Sequence, residues 1–417
     1  MRKWLIALAG VFVHLFLGTV YAWSYFQSLI VDFTGWSHTE TTWAFSLSIF
    51  MLGISAAWGG VKLSKYGSRK LAIIGGTLYG LGYLLGGVAL HHQNLGLFYL
   101  GFGAVGGVGL GLAYVTPVAT VSKWFDKYQG LATGMVVMGF GLGALVMSKI
   151  LAPFFMTLSG GDVSKVFLYI GATLLILLPS FASFLKPPPQ KKEKEQVSRK
   201  GDFLKLIFGK TFLVLWFVFL INIIAGMIFI SFQAPLLQDL LLKNKSTLEL
   251  VSPDLNAYLV ASGATLIAVS SLFNGVGRFA WAALSDKMGR ITTFKLLLLL
   301  QAFIFFTLLV VENPILFSIF VCLVLFCYGG GFGLMPSLIK DTYGTVLMAT
   351  MYGSILTAWS LGGVVGPQLV AYMKDYHAEN AGFFVYLFSG SLLLLGFALT
   401  FLYKGSEKNT NINETFR

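Results

Sequence analysis

Apolar runs of about 20 residues recur along the whole chain and are separated by short polar segments. A helix of that length spans the hydrocarbon core of a bilayer. The runs are continuous rather than alternating, which argues against strands, and lipid admits only helices or closed barrels because backbone groups must pair internally. The pattern therefore predicts an all-α integral membrane protein.

Twelve transmembrane helices can be placed on these runs. The first six cover Trp4–Ile30, Thr42–Leu63, Leu71–Leu90, Leu95–Ala119, Gly130–Phe155 and Val166–Leu185. The last six cover Thr211–Phe232, Tyr258–Leu284, Ile291–Val311, Ile315–Ile339, Val346–Met373 and Phe383–Tyr403. The first run begins like a secretory signal, but no small-residue cleavage site follows it, so we expect it to be retained as a helix.

A polar stretch divides the chain into two sets of six predicted helices. Residues Lys186–Lys210 contain three consecutive prolines followed by mixed charge, which is typical of a solvated linker, and Asp202–Phe208 fits an interfacial helix. We interpret Pro235–Asn256 as an extension of the seventh helix, with no assigned role. The expected domains are an N-terminal half at 1–185, a linker at 186–210, a C-terminal half at 211–403 and a tail at 404–417.

The two halves carry related motifs at an offset of about 220 residues. The matching pairs are Lys65–Arg69 with Lys287–Arg290, Gly111–Pro117 with Gly330–Pro336, and Phe140–Gly143 with Trp359–Gly362. A duplicated set of six helices is the organisation of transporters that bind substrate between two halves near the middle of the membrane. The repeats therefore predict two pseudo-symmetric halves with a site between them.

Composition and charge agree with a membrane protein, since 56% of the residues are hydrophobic and 11% are charged. The net charge of +12 could suggest nucleic acid, but the basic residues lie mostly in short loops, as the positive-inside rule requires. One side carries Arg2, Lys3, Lys65, Arg69, Lys70, Lys123, Lys127, the basic linker, Lys287, Arg290, Lys340, Lys404 and Lys408. The other carries mainly Lys149, Lys165, Lys243, Lys245 and Lys374. We expect both termini on the cytoplasmic side, a lipid bilayer as partner, and no nucleic acid.

One arginine, Arg278, lies inside a predicted span. It precedes Asp286 by eight residues, which places it roughly 12 Å from the end of its helix. An arginine at the centre of a span costs roughly 2.5–3.5 kcal/mol on insertion scales. It could snorkel to the interface or pair with a carboxylate, but all seventeen Asp and Glu residues fall in loops or at span ends. We therefore expect Arg278 to bind an anionic substrate through its planar guanidinium.

Other polar residues are expected at a similar depth. Asn274 lies one helical turn from Arg278 and could donate to the substrate or orient the guanidinium. Tyr114, Tyr328 and His14 fall on three other spans, between a third and half of the way across the membrane. Their convergence suits a central site, although a tyrosine in a span can also be ordinary packing.

The segment Ala282–Arg290 resembles the G-x-x-x-D-[RK]-x-G-[RK] signature of the major facilitator superfamily. In that family the Asp caps a neighbouring helix and latches the cytoplasmic ends. The first-half copy, Gly60–Arg69, departs from the signature by placing Ser64 where an Asp is usual. The resemblance implies twelve helices in the major facilitator fold, with a cytoplasmic latch formed by Asp286, Lys287, Gly289 and Arg290.

Finer motifs resemble one branch of that superfamily, the oxalate/formate antiporter family and its monocarboxylate-transporting members. They are Tyr21–Ser24, Tyr114–Thr120, Lys123–Phe125, Gly130–Gly134, Asn274 with Arg278, and Tyr352–Pro367. The motifs are specific for the family and not for a substrate. The resemblance implies a secondary transporter of a bacterial cytoplasmic (inner) membrane that works by alternating access, and it adds Tyr21 to the substrate-binding residues. We expect a monomer.

The number of central cations bears on the charge of the substrate. Oxalate-transporting members of the family typically have a lysine in the eleventh span, where this chain has Trp359. Lys149 lies near the outer end of its span, where snorkelling is easy. One fixed cation matches a monoanion, because a dianion would leave one carboxylate buried and unpaired. With Phe332 and Trp359 as apolar walls, the expected substrate is lactate, pyruvate or a similar small monocarboxylate.

The sequence leaves coupling open. No acid lies inside a span, and His14 is the embedded group that titrates near neutral pH, so it is the candidate for proton coupling. It could instead only bond a neighbouring helix, and the substrate could exchange for another anion. A dicarboxylate antiporter and a carboxylate sensor remain alternatives. The two cysteines, Cys322 and Cys327, form no metal-ligand spacing, and we expect no enzyme activity, cofactor or metal.

Overall fold

A computed structural model gives the fold of the chain. It describes residues 2–125, 129–188, 200–243, 252–377 and 380–403. Within these ranges the regular elements are helical, and twelve helices are long and apolar enough to cross a bilayer. The predicted all-α architecture with twelve membrane-spanning helices is therefore confirmed. Lys127, Lys245, the middle of the expected linker and the expected tail at 404–417 lie outside the described residues.

The twelve spans alternate in direction along the chain. Spans α1 to α6 are Lys3–Thr34, His38–Tyr66, Ser68–His91, Leu95–Ser122, Ala132–Ser159 and Val163–Ala182. Spans α7 to α12 are Lys210–Lys243, Leu255–Met288, Arg290–Leu308, Pro314–Gly344, Thr350–Tyr376 and Ala381–Leu402. A further short helix, Lys200–Ile207, precedes α7 and overlaps the predicted interfacial helix. We call the end of the bundle that carries Lys65, Lys123 and Lys287 the basic end.

Helix ends follow from local side-chain and backbone chemistry. At the end opposite the basic end, Ser37 and Glu40 form a capping box that starts α2, and Asn94, Asp162 and Asn313 accept backbone N–H groups at the starts of α4, α6 and α10. At the basic end, Gly67, Gly289 and Gly344 have φ values of 78°, 85° and 78°. A left-handed turn of this kind favours glycine. Gly67 and Gly289 occupy matching turns, which agrees with the duplication.

Span α7 is longer than the sequence pattern predicted. It continues to Lys243, eleven residues beyond the predicted end at Phe232, and includes Pro235. The proline interrupts the regular hydrogen-bond ladder of the helix. Next to the proline, the N–H of Ala234 donates to Ser24 Oγ of α1 at 2.8 Å, so a neighbouring span is hydrogen-bonded to α7 at this point. The interpretation of this segment as an extended seventh helix is correct up to Lys243.

The first six and last six spans meet along three helix pairs. Span α2 packs along α11, α5 along α8, and α1 against α7. Glycines allow the close approach, because a Cβ added at Gly53 would clash with α11 and one at Gly141 would clash with Gly275 of α8. These pairs place the middles of α4, α5, α8, α10 and α11 around a common centre.

Candidate functional site

Arg278 lies at that centre and has no solvent-exposed surface. Among the charged side chains in the described ranges, it is the one that is fully buried. Its depth depends on glycine packing, because α10 presents Gly333 directly against the carbonyl oxygen of Arg278. The guanidinium is therefore held in the bundle interior and does not snorkel.

The hydrogen bonds of Arg278 leave the end of its guanidinium free. Its Nε donates to Asn274 Oδ1 at 3.2 Å, one helical turn away on α8. Nη1 and Nη2 are both buried without a hydrogen-bond partner. Asn274 therefore orients the guanidinium, which is one of the two roles considered from the sequence. The two free Nη groups form the fork that binds a carboxylate in two parallel hydrogen bonds.

No carboxylate of the described residues pairs with Arg278. The ion pairs found there join Lys165 to Asp162, Arg290 to Asp286 and Asp341, and Lys374 to Asp239, and all lie near helix ends. Lys149 was predicted to lie away from the centre. Its Nζ donates to Thr265 Oγ1 at 2.8 Å, at an exposed position. The charge of Arg278 is thus uncompensated within this part of the chain.

Aromatic rings surround the guanidinium. Its central carbon lies 4.8 Å from the ring centroid of Phe332 and 5.6 Å from that of Phe140. Trp359 packs edge-on against both rings, at 4.6 Å from Phe332 and 5.5 Å from Phe140, and Tyr114 lies 5.2 Å from Trp359. Cation–π contacts of this kind favour a buried cation. These aromatic rings make the site apolar except at the guanidinium and a few hydroxyls.

Tyr21 and Tyr328 close the site towards the end opposite the basic end. Their hydroxyls are hydrogen-bonded to each other across the two halves, and the Tyr328 hydroxyl also lies 3.5 Å from Met227 Sδ. Both rings are buried. The pair is therefore engaged with itself in this conformation, and neither hydroxyl is free as the hydroxyl of Tyr114 is.

Among the described residues, three hydroxyl or indole groups near Arg278 are buried without hydrogen-bond partners. They are the hydroxyls of Tyr114 and Tyr352 and the indole Nε1 of Trp359. Leaving such groups unpaired in a protein interior is costly, about 1–3 kcal/mol each. Together with the Nη groups of Arg278, they form a small set of donors that suits a molecule with a few oxygen atoms.

His14 contacts the same region from α1. Its Nε2 lies 2.9 Å from the backbone carbonyl oxygen of Tyr114, its ring stacks on the Tyr114 ring at 4.7 Å, and its Nδ1 has no partner. This arrangement corresponds to the structural alternative, in which a buried histidine bonds a neighbouring helix. Because Nδ1 is free, a proton-coupling role for His14 stays a prediction.

The expected latch residues lie at the basic end. Arg290 pairs with Asp286 at 2.5 Å and with Asp341 of α10 at 3.3 Å, and it also donates to Ser285. Gly289 supplies the left-handed turn between α8 and α9. Arg290 thus ties three spans of the second half together. Lys287 lies in the last turn of α8.

Two residues of the site were not selected from the sequence. Phe140 occupies the first-half position that matches Trp359 in the duplicated motif, and the two rings meet between the halves. The duplication could therefore have identified it. Tyr352 precedes Trp359 by seven residues, two helical turns, and so lies on the same face of α11. That spacing was the available signal.

Comparisons with known proteins place this geometry in context. The sequence model of the Major Facilitator Superfamily matches residues 6–367. The oxalate:formate antiporter of Oxalobacter formigenes is 26% identical over 394 residues, covering 92% of this chain and 88% of that protein. Apicoplast pyruvate carrier 1 of Toxoplasma gondii is 26% identical over 474 residues, covering 89% and 84%. Human monocarboxylate transporter 11 is 25% identical over 388 residues, covering 88% and 75%.

Proposed function

The chain belongs to the major facilitator superfamily of membrane transporters, and from this premise we propose that it carries a small monocarboxylate by alternating access. Arg278 binds the carboxylate in this proposal. The observation that carries it is the pair of buried, unpartnered Nη groups on an arginine that no carboxylate of the described residues neutralises. An anion that enters and leaves would satisfy both groups without a permanent ion pair.

Charge balance favours a monoanion. Arg278 is the central cation, and Trp359 occupies the position where oxalate-transporting relatives are expected to have a lysine. A second carboxylate in this site would face the rings of Trp359, Phe140 and Phe332 without a cation. Because an unpaired buried charge is strongly unfavourable, one carboxylate with a short, mostly apolar body fits best. Lactate and pyruvate have these properties.

The names of the similar proteins support the substrate class and leave the choice within it open. They refer to oxalate, formate, pyruvate and monocarboxylates, all of which are small carboxylates. At identities of 25–26%, we take from them only that a carboxylate is the expected cargo. The preference for a monocarboxylate rests on the single central cation.

Alternating access is supported by the fact that the site residues come from both halves of the chain. Tyr114 and Phe140 come from the first six spans, whereas Arg278, Phe332 and Trp359 come from the last six. A substrate held between them is released when the two halves rock apart. The proposal takes 1–185 and 211–403 as the halves, a bacterial cytoplasmic membrane as the location, and the basic end as the cytoplasmic side.

We propose proton symport as the coupling mode, with His14 as the candidate proton carrier. His14 is a titratable group that lies against Tyr114, which itself approaches Arg278. Exchange for another anion is the alternative, and the similarity to an oxalate:formate antiporter favours it. The two modes differ in their response to a pH gradient and to internal anion.

The test is uptake of labelled lactate, pyruvate, formate and oxalate into proteoliposomes, with and without a pH gradient. Arg278→Lys keeps the charge but removes the planar fork, so we expect uptake of the preferred monocarboxylate to fall at least about tenfold. Arg69→Lys, at an exposed position of the basic end, is the matched control and should transport normally. Equal uptake by wild type and Arg278→Lys would remove Arg278 from the binding site.

The same assay separates the coupling modes. Stimulation of lactate uptake by an inward proton gradient supports symport. Insensitivity to the gradient, with acceleration by internal anion, replaces symport by exchange. His14→Ala then tests the proton carrier, because an unchanged pH dependence in this variant would exclude His14 from that role.

A further inference from the structure

Tyr352 is a buried tyrosine of α11, and packing alone does not explain why it carries a hydroxyl. Its side chain is 1% exposed, and its hydroxyl has no hydrogen-bond partner in the described residues. A phenylalanine would fill the same space without burying an unpaired hydroxyl. We therefore consider whether this hydroxyl binds a ligand.

The Tyr352 hydroxyl approaches that of Tyr114 from the opposite half of the protein. The two hydroxyls are neighbours of each other and of Arg278, and both are buried without a hydrogen-bond partner in the described residues. Each hydroxyl can donate one hydrogen bond and accept two. Two unpartnered hydroxyls in the neighbourhood of the free Nη groups can share one oxygen atom of a bound molecule.

Resting on the proposed function, we propose that Tyr352 is a specificity-determining residue that, with Tyr114, binds the oxygen on the carbon next to the carboxylate. The carboxylate occupies the Nη groups of Arg278, and the hydroxyl or oxo group of a 2-hydroxy or 2-oxo acid lies between the two tyrosines. The methyl group of such an acid faces the rings of Phe332 and Trp359. The site then selects these acids over simple fatty acids of the same length.

The position on α11 supports this assignment. Tyr352 and Trp359 lie seven residues apart, on one face of the span, and Trp359 packs against Tyr114. Gly353 follows Tyr352 and brings α11 close to Ala56 and Ala57 of α2. This close packing holds the face that carries Tyr352 against the first half.

The test compares L-lactate with propionate, which has the same carbon chain without the hydroxyl. In proteoliposomes, wild type should show a KM for lactate about tenfold below that for propionate, since a buried group left unpaired costs about one factor of ten. In Tyr352→Phe the lactate KM should rise about tenfold while the propionate KM stays unchanged, which brings the ratio close to one. Tyr114→Phe should give the same result, and the double variant should add little, because both hydroxyls bind one oxygen.

Tyr386→Phe is the matched control, since Tyr386 is a buried tyrosine of α12 away from Arg278, and its ratio should equal that of wild type. If Tyr352→Phe does not fold, Tyr114→Phe gives the same readout. An unchanged lactate-to-propionate ratio in these variants, or an equal loss for both substrates, overturns the assignment. Loss of all carboxylate transport in wild type would overturn the proposed function itself and this inference with it.

Discussion

At the scale of the residue, Arg278 combines a fully buried charge with free donor groups. The hydrogen bond from its Nε to Asn274 and the rings of Phe140 and Phe332 fix its orientation. These contacts offset part of the cost of burying a guanidinium, while Nη1 and Nη2 stay available. Orientation and availability are thus divided between different atoms of one side chain, which is what a site for a transient anion needs.

Trp359 is the residue at which substrate charge can be tested. In Trp359→Lys a second cation would stand opposite Arg278, and a charged hydrogen bond to the second carboxylate of oxalate is worth about 1.5–3 kcal/mol. We expect oxalate to inhibit uptake of the monocarboxylate at concentrations at least about tenfold lower than in wild type. Inhibition curves in proteoliposomes measure this.

Trp359→Met is the matched control for that change, because methionine has a similar length without the charge. Like Trp359→Lys, this variant loses the indole and its contacts with Phe332 and Phe140. If oxalate inhibits the lysine and methionine variants equally, the number of central cations does not set the preference for substrate charge.

At the scale of the element, the depth of the site depends on small residues where helices cross. Gly333 of α10 lies against the backbone of Arg278, and Gly226 of α7 lies under the ring of Tyr328. A side chain at either position would push its helix away from the site. Glycines at helix crossings therefore set the geometry of the site as directly as the residues that line it.

Gly333→Ala tests this role. The added Cβ would clash with the Arg278 carbonyl oxygen, so α8 and α10 must separate, and we expect a loss of about 1–3 kcal/mol in stability together with weaker substrate binding. Thermal unfolding in detergent and the KM for the preferred substrate are the measurements. Gly134→Ala of α5 is the control, because a Cβ there meets no atom within 4 Å. Because alanine has a higher helix propensity than glycine, the stability of Gly134→Ala should equal that of wild type or be slightly higher. Equal stability and KM in the two variants would contradict the packing argument.

At the scale of the whole molecule, two links between the halves lie at the end opposite the basic end. Asp375, near the end of α11, accepts from the backbone N–H groups of His38 at 3.2 Å and of Thr39 at 2.8 Å. These groups start α2, so a carboxylate of one half meets the positive end of a helix dipole of the other. Ser24 with Ala234 adds a second link on the same side.

Asp375→Asn should loosen this closure. Removing a charge at a helix N-terminus costs about 0.3–1 kcal/mol, so the population open at this end should rise up to about fivefold. Spin labels on Phe33→Cys and Tyr376→Cys, both exposed near this end, report the separation, and the native Cys322 and Cys327 are buried. Asp162→Asn, which removes the charge of a capping carboxylate within the first half, is the control. An unchanged distance distribution in Asp375→Asn would show that the contact does not control opening.

The sequence determined the class of the protein and the number of its spans. Apolar runs of sufficient length force helices in lipid, and this constraint acts on each run separately, so no tertiary contact was needed. It also identified Arg278, because a charge in a span is exceptional whatever surrounds it. The sequence placed the apolar run of α7 only up to Phe232 and interpreted the segment from Pro235 as an extension of this helix, and the fold bears out that extension up to Lys243.

Only the tertiary structure decided which atoms are engaged and which are free. The sequence placed Tyr21, Tyr114 and Tyr328 at one site without distinguishing them, whereas the fold bonds Tyr21 to Tyr328 and leaves the hydroxyl of Tyr114 without a partner in the described residues. Hydrogen-bond partners depend on the rotation and crossing of helices that lie more than a hundred residues apart in sequence, and hydropathy carries no information about that rotation. The sequence alone therefore identified a charged residue inside a membrane span, and the packing of the two halves decided which donor groups of the described residues lie near it without partners.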